Sequence, residues 1–279
     1  MALTRLRGQP VGGSRLRLLG VPEGLEVETY RRQAAAVVGR RIVEVDAPDD
    51  WFLKGVDRTL LVPALVGRRV DGVRRIGKLL IVDLDDGARL GLRFGMTGRL
   101  LVDGSAAIDR LLYSSGRDDP VWERFRLRFA GGGDLRMRDP RRLGGVELDP
   151  DETQLGPDAL TLTLPELEAA LATSTTAIKA RLLDQRRIAG IGNLLADEIL
   201  WRAGIDPTRP ARSLTGDETK SLHEAIATTL PDLMGRGGSH TGDLRAAANL
   251  DGLCPLDATP LVRRQVGGRT TWSCPTHQR

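Results

Sequence analysis

The sequence has no apolar run that approaches the roughly 18 residues needed to cross a membrane. Its first 20 residues also lack the continuous apolar stretch of a secretory signal. Both absences argue against a membrane-bound or exported protein, so we expect a cytoplasmic one. With 279 residues, 41% of them hydrophobic, the chain is globular and long enough for two domains that each bury a core.

Lysine is scarce as well, since only four of the 41 basic residues are lysines. The formal net charge of +4 comes from four arginines in the first 20 residues, which contain no acid, and the remaining chain has 37 basic and 37 acidic residues. Net charge therefore says little about a nucleic-acid partner, and the distribution of charge must carry that argument. The arginine excess fits genome composition and bidentate phosphate binding equally well.

The chain divides into segments of different character. Residues 1–21 contain Gly and Pro without any helical or strand period, which predicts a disordered head. A helix opens the segment 22–148, which is otherwise rich in strand patterns. Prolines and acids predict a linker over 149–165, and helical patterns follow over 166–249 before a terminal hairpin at 250–279. The predicted fold class is α+β.

One stretch of the β-rich segment alternates strictly between apolar residues and arginines. The period of two predicts a strand pair with one packed face and one charged face. The apolar face holds Phe125, Leu127, Phe129, Leu135 and Met137. The charged face holds Arg124, Arg126, Arg128, Arg136 and Arg138. This arginine face either contacts DNA or is a solvated sheet surface, and the pattern alone favours the solvated surface.

Both cysteines lie in the last 26 residues, in the frame C-P-L-D, sixteen residues, C-P-T-H. The spacing matches a zinc ribbon in which Asp257 and His277 stand where thiolates usually stand beside Cys254 and Cys274. We therefore predict one structural Zn²⁺. Two free thiols and a disulfide are the alternatives, although a disulfide is disfavoured in the cytoplasm. Asp257 could also simply begin a turn.

Six motifs occur in order from Pro22 to the C-terminus: P-E-G-L-E-V-E, R-R-I-G-K-L-L, G-M-T-G, D-P-R-R-L-G, I-A-G-I-G-N-L-L-A-D-E-I-L and the terminal knuckles. Together they resemble the formamidopyrimidine-DNA glycosylase and endonuclease VIII family. The resemblance implies an N-terminal β-sandwich followed by a helix-two-turn-helix domain with a zinc finger. It also implies that a monomer binds double-stranded DNA with oxidised or abasic sites in the cleft between the two halves.

The resemblance implies roles for four residues in a glycosylase and abasic-site lyase reaction. Pro22 matches the N-terminal proline whose amine attacks C1′ of the damaged nucleotide. Glu23 matches the adjacent acid that protonates the opening sugar, and Glu26 matches a carboxylate that organises the site. Lys78 matches the lysine that assists at the sugar-phosphate. Without the resemblance, these would be a helix-start proline, two first-turn acids and a strand-end lysine.

Five further residues match DNA-binding positions of the family. An enzyme that extrudes a base must fill the gap in the duplex, and Met96, Arg141 and Leu143 match the residues that do so. Leu143 departs from the aromatic residue frequent in one branch of the family, so its stacking should be weaker. Asn193 and Arg269 match phosphate-binding residues. The alternatives are core packing for Met96 and Leu143, a helix N-cap for Asn193 and a strand-surface charge for Arg269.

The proposed nucleophile lies inside the printed chain, where an acylated proline nitrogen cannot attack. Val21 could represent a GTG start codon, the head could be cleaved, or the head could be retained. In the last case we expect a damaged-DNA-binding protein without catalysis.

The motifs conflict on whether the preferred lesion is an oxidised purine or pyrimidine. The glycine-rich segment 235–243 is expected to close over the extruded base.

Overall fold

The computed structural model describes residues 19–20, 22–108, 110–111 and 119–279. Its helices are α1 (Gly24–Ala34), α2 (Arg58–Leu65), α3 (Leu164–Leu171), α4 (Ile178–Leu183), α5 (Asn193–Arg202), α6 (Gly216–Arg236) and α7 (Asp243–Leu250). Its strands are β1 (Leu19–Gly20), β2 (Ile42–Asp46), β3 (Val70–Ile76), β4 (Leu79–Leu84), β5 (Arg89–Arg93), β6 (Arg99–Val102), β7 (Arg110–Leu111), β8 (Glu123–Phe129), β9 (Asp134–Arg138), β10 (Gly145–Leu148), β11 (Val262–Val266) and β12 (Arg269–Ser273). The α+β class is confirmed.

Two four-stranded antiparallel sheets form the first half, in the orders β10-β5-β4-β3 and β2-β8-β9-β6. Their inner faces share one hydrophobic core, as in a sandwich. The alternation predicted for β8 and β9 is confirmed, because all five apolar residues of that stretch are buried. Asp86-Gly87, a residue pair common in hairpin turns, joins β4 to β5, and Gly87 has a φ of 89°, which favours glycine.

The arginine face on the outside of β8 and β9 is paired with acids. Asp134 accepts from both Arg126 and Arg136, and Glu44 lies 3.3 Å from Arg128. A guanidinium that already has a carboxylate partner gains less from a phosphate, since the existing pair must first be broken. The arginine face is therefore a largely neutralised sheet surface rather than an open positive stripe.

Helices α3 to α6 enclose a second core, with α5 packed between α6 and the β11-β12 hairpin. Helix α1 contributes to both cores. Its Val27 and Tyr30 pack in the sandwich, whereas Leu25, near its N-terminus, packs among the helices of the second half. The start of α1 is therefore fixed where the two halves meet.

The predicted head is only partly described, whereas the predicted linker is described throughout. In the predicted head, Leu19–Gly20 pair in parallel with Arg110–Leu111, and residues 1–18 and 21 lie outside the described part. The predicted linker contains a 3₁₀ turn at Glu152–Gln154, and α3 begins at its C-terminal end. Among the described residues, no helix combines the length and apolar character of a membrane span.

Candidate functional site

The first turn of α1 places two acids at the junction of the halves. Glu23 is the N-cap residue and has an extended backbone. Its backbone N–H donates to Oε2 of Glu26, at 2.9 Å, which closes one side of a capping box. The motif that begins the helix therefore also brings the two predicted catalytic carboxylates together.

Glu23 is held by the second half of the molecule. Its carboxylate accepts hydrogen bonds from the backbone N–H groups of Leu194 (2.9 Å) and Leu195 (3.1 Å), in the first turn of α5. The positive end of a helix dipole stabilises a carboxylate there. Burial nevertheless raises the pKa of Glu23, while the charge of Lys78 and the amide hydrogen bonds oppose that rise. Glu23 can therefore hold a proton inside the site.

Glu26 connects α1 to the segment after α6. Its Oε1 accepts from the backbone N–H of Ser239 at 2.8 Å and from the Ser239 hydroxyl at 2.9 Å. Burial, and secondarily the charge of Glu23, raise the pKa of Glu26 to about 7.

The predicted closing loop 235–243, which contains Ser239, is largely structured. It comprises the last residues of α6, a 3₁₀ turn at Ser239–Thr241 and the first residue of α7.

Lys78 lies in the tight turn between β3 and β4. Gly77 precedes it with a φ of 57°, a conformation that favours glycine. Burial lowers the pKa of Lys78, while the charges of Glu23 and Glu26 oppose that effect. A lysine whose pKa is lowered by burial, in the same site as carboxylates whose pKa values are raised by burial, is typical of a functional site.

A cleft with a volume of about 490 Å³ is lined by six of the nine predicted catalytic and DNA-binding residues. Its lining includes Pro22, Glu23, Lys78, Met96, Asn193 and Arg269. A second pocket of about 280 Å³ adjoins it and shares Asn193, Leu194 and Thr270 as a common wall. Residues spread over nearly 250 positions of the chain therefore line one cleft between the two halves.

Met96, Arg141 and Leu143 lie on two loops that pack against each other. Arg141 Nη1 is 3.8 Å from Met96 Sδ, and Leu143 is 48% exposed. A Cβ on Gly95 would lie 2.5 Å from the carbonyl carbon of Leu143, so the two backbones are in direct contact. Neither Met96 nor Leu143 belongs to a core cluster of the described residues, and the core-packing alternative for them is wrong.

Asp139 organises the loop that carries Arg141 and Leu143. Its buried carboxylate accepts from the Thr97 hydroxyl, from the Gly144 N–H at 2.8 Å and from the Arg141 N–H at 3.2 Å. These bonds fix both ends of the loop and leave the two side chains outside it. Sequence reasoning missed this role, since a D-P dipeptide signals only a turn.

Asn193 and Arg269 approach the cleft from α5 and β12. Asn193 Nδ2 donates to the Thr270 carbonyl at 3.1 Å, while its Oδ1 is buried without a hydrogen-bond partner in the described structure. Gly192 is the N-cap of α5, so the N-cap alternative for Asn193 is wrong. Arg269 is exposed at the first position of β12 and lines the cleft.

A buried ion pair between α4 and α5 also holds the terminal hairpin. Lys179 is completely buried, forms an ion pair with Asp197 at 2.7 Å, and donates hydrogen bonds to the Thr270 carbonyl and the Thr271 hydroxyl. Burial raises the pKa of Asp197 to about 6, although the charge of Lys179 opposes the rise. A buried pair of this kind fixes geometry even where it adds little stability. Here it fixes the strand that presents Arg269.

The four predicted metal ligands form a compact cluster. One potential ligand atom from each of Cys254, Asp257, Cys274 and His277 lies within 4.8 Å of all the others. Both cysteines are free thiols, so the disulfide alternative does not apply to this structure. His277 Nε2 donates to the Trp201 carbonyl at 3.1 Å, which leaves the Nδ1 lone pair facing Cys254 and Asp257. The cluster has the donor set and orientation of a metal site.

Family models match most of the chain. The formamidopyrimidine-DNA glycosylase N-terminal domain matches residues 21–146, and the formamidopyrimidine-DNA glycosylase H2TH domain matches residues 155–243. The formamidopyrimidine-DNA glycosylase of Solibacter usitatus is 30% identical, with 93% of this chain and all of the relative covered. That of Chloroflexus aggregans is 35% identical, with 92% of this chain and 98% of the relative covered.

Solved structures give the same result at the level of the fold. A Lactococcus lactis Fpg complex with DNA that contains Fapy-dG has a TM-score of 0.77 and 27% identity, covering 91% of this chain and 99% of that one. A complex of the same protein with DNA that contains an abasic site has a TM-score of 0.77 and 27% identity, covering 92% and 99%. The chain therefore belongs to the formamidopyrimidine-DNA glycosylase family.

Proposed function

We propose that this protein is a DNA glycosylase of base-excision repair that removes oxidised bases and then cleaves the strand at the resulting abasic site. The observation that carries the proposal is the single cleft where Pro22, Glu23 and Lys78 meet between the two halves. Membership of the family supports it, since relatives are named for glycosylase activity. The Lactococcus lactis complexes, which hold damaged or abasic DNA, support DNA as the partner.

In the proposed reaction the lone pair of the Pro22 nitrogen attacks C1′ of the damaged nucleotide. The new N–C1′ bond replaces the glycosidic bond, whose electron pair leaves with the base, and the proton lost by the amine balances the proton that the base gains. Glu23 then protonates O4′ as the C1′–O4′ bond breaks, and the nitrogen lone pair forms the C=N bond of a Schiff base. The raised pKa of Glu23 keeps its proton available.

Strand cleavage follows from the acidity of the Schiff base. Loss of a proton from C2′ expels the phosphate on the 3′ side, and a second elimination expels the phosphate on the 5′ side. Lys78 is proposed to assist at the sugar-phosphate, where its ammonium offsets the charge that builds up on the leaving oxygen. Glu26 is proposed to hold Glu23 in place through the 2.9 Å hydrogen bond to the Glu23 N–H.

The remaining cleft residues are proposed to hold the distorted duplex. Met96, Arg141 and Leu143 would occupy the space left by the extruded base, because their loops are packed together and Leu143 is exposed. Asn193 and Arg269 would bind a backbone phosphate near the first turn of α5. This separates the residues that act on the sugar from those that keep the base out of the helix.

We further propose that the terminal cluster binds one structural Zn²⁺. Cys254, Cys274 and His277 are common zinc ligands, and Asp257 completes a tetrahedral set as a less usual structural ligand. The bound ion would tie the two knuckles together and so stabilise the β11-β12 hairpin. The hairpin is the element that carries Arg269 to the cleft.

The mechanism requires an unacylated Pro22, so the test is a protein that begins at Pro22. With a duplex that carries one formamidopyrimidine-guanine lesion, borohydride should trap a covalent adduct on this protein and none on a protein that retains residues 1–21. A Glu23→Gln variant should bind the duplex but trap at least about tenfold more slowly. Tight binding by the Pro22-initiated protein without any adduct would contradict the amine mechanism.

The second candidate function is a damaged-DNA-binding protein without catalysis, which is what a retained head would leave because the Pro22 nitrogen would then be an amide. It predicts salt-sensitive binding to abasic duplex without strand cleavage. Intact-mass measurement of the protein from its native host separates the candidates, since the glycosylase proposal expects a chain that begins at Pro22. A panel of single-lesion duplexes would then identify the preferred base.

A further inference from the structure

Two adjacent arginines of β3 bind acids on opposite sides of the strand. Arg75 has only 7% of its side chain exposed and forms a two-pronged ion pair with Asp158, at 2.5 Å and 3.0 Å. It also contacts Glu28 of α1 at 3.1 Å. Arg74, 41% exposed, instead pairs with Asp83 and Glu152. Asp158 and Glu152 both belong to the segment that connects the two halves.

Asp158 makes a contact that its neighbour Glu152 does not make. Its Oδ2 accepts a hydrogen bond from the backbone N–H of Gly77 at 2.6 Å, and its Oδ1 accepts from the N–H of Leu160 at 2.9 Å. Gly77 is the residue immediately before Lys78. One carboxylate therefore binds both the last arginine of β3 and the backbone of the turn that holds the proposed catalytic lysine.

The same turn is wedged against the second half of the molecule. A Cβ on Gly77 would lie 2.6 Å from Cβ of Ala189 and 2.8 Å from the backbone nitrogen of Gly190. Gly190 in turn accepts a hydrogen bond from the Gly24 N–H at 2.9 Å, at the start of α1. The backbones that carry Lys78 and Glu23 are thus both located against one loop, the loop that leads into α5.

We propose that Asp158 is a positioning residue that sets the place of Lys78 relative to Pro22 and Glu23. The proposal rests on the role proposed above for Lys78. Without the Asp158 carboxylate, the Gly77 N–H loses its acceptor and the buried Arg75 loses its two-pronged partner, so the turn can shift against the Ala189–Gly190 loop. Shifts of about 1 Å at a reacting group can lower a rate by about a hundredfold.

The test compares variants of the protein that begins at Pro22. Asp158→Ala should lower the single-turnover cleavage rate by about ten- to a hundredfold, while the Kd for an abasic-analogue duplex changes less than about threefold. Asp158→Asn should keep more of the rate, because its amide oxygen can still accept from the Gly77 N–H. Glu152→Gln is the matched control from the same segment and should leave the rate unchanged.

A double-mutant cycle with Lys78→Ala assigns the effect to Lys78. If Asp158 acts through Lys78, then Asp158→Ala should slow the Lys78→Ala protein little further, since the group it positions is gone. Additive losses, or equal losses in Asp158→Ala and Glu152→Gln, would overturn the proposal. A Lys78→Ala protein as fast as the wild type would instead refute the role proposed for Lys78.

A second readout does not depend on activity. The chain has only four lysines, so ¹³C-dimethylated lysine signals can be assigned and titrated one by one. Removing the negative charge of Asp158 alone would lower the pKa of Lys78 further, whereas release of Lys78 from its half-buried position would raise it. We expect the pKa to rise in Asp158→Ala, and a fall or no change would count against repositioning.

Discussion

Glu26 is a buried acid whose pKa is raised from an ordinary 4.5 to about 7. Between these values the folded protein binds more protons at Glu26 than the unfolded chain does, so this residue's contribution to stability falls as pH rises through the window. The shift corresponds to about 3 kcal/mol. The free-energy difference between wild type and Glu26→Gln, from urea unfolding, should therefore decrease by about that amount from pH 4.5 to pH 7. A difference independent of pH would show that folding does not raise the pKa of Glu26.

The contribution of a single residue to the site could be predicted from the sequence only where its partners are close to it along the chain. Glu23 and Glu26 stand in a local motif, and the structure brings them together through the helix cap that the motif specifies. Ser239 and Asp158 carry no such local signal. Their importance comes from contacts with Glu26 and Gly77, which lie 213 and 81 positions away. No periodicity or spacing rule reports a contact of that range.

The terminal hairpin allows a test of the proposed zinc site, because Asp257 is the unusual ligand in the set. Thiolate binds Zn²⁺ as the preferred structural ligand, so Asp257→Cys should bind the ion more tightly than the wild type. Competition with a coloured chelator would measure the change, and metal analysis should give one zinc per chain. Asp257→Ala should weaken retention. Equal affinity in all three proteins would place Asp257 outside the metal site.

The strands β8 and β9 show what a pattern can and cannot predict about an element. Alternation correctly assigned the buried face, since it depends only on the pleat of a strand. It could not reveal the pairing of the arginine face with Asp134 and Glu44. That pairing depends on which strands are neighbours in the sheet, and the alternation within a single strand does not specify its neighbours.

Which charged surface of the molecule binds DNA can be tested by comparing two exposed arginines. Arg269 lines the cleft, whereas Arg128 lies on the outer sheet face beside Glu44. Arg269→Ala should weaken binding to duplex DNA and reduce the slope of log K against log salt by about one, as expected for one lost phosphate contact. Arg128→Ala should change neither quantity. A similar loss in both variants would show that DNA also contacts the sheet face.

The order of a β-rich half followed by a helical half was readable from the change in periodicity along the chain. The interface between them was not, because it depends on backbone contacts at Gly24, Gly77 and Gly190, where glycine in a sequence ordinarily signals only a turn. The predicted linker also proved to contain acids that bind β3. The acids of this segment thus supply structural contacts to the first half of the molecule.

The attachment of Glu23 to α5 makes the proposed DNA cleavage depend on contact between the two halves. The acid belongs by sequence to one half, yet its hydrogen-bond donors belong to the other. If the halves separate, the carboxylate loses both amides at once, and in the proposed reaction a free amine remains without its proton donor. A partly unfolded or proteolysed molecule would then lose the proposed cleavage activity, so only intact molecules would cut the strand.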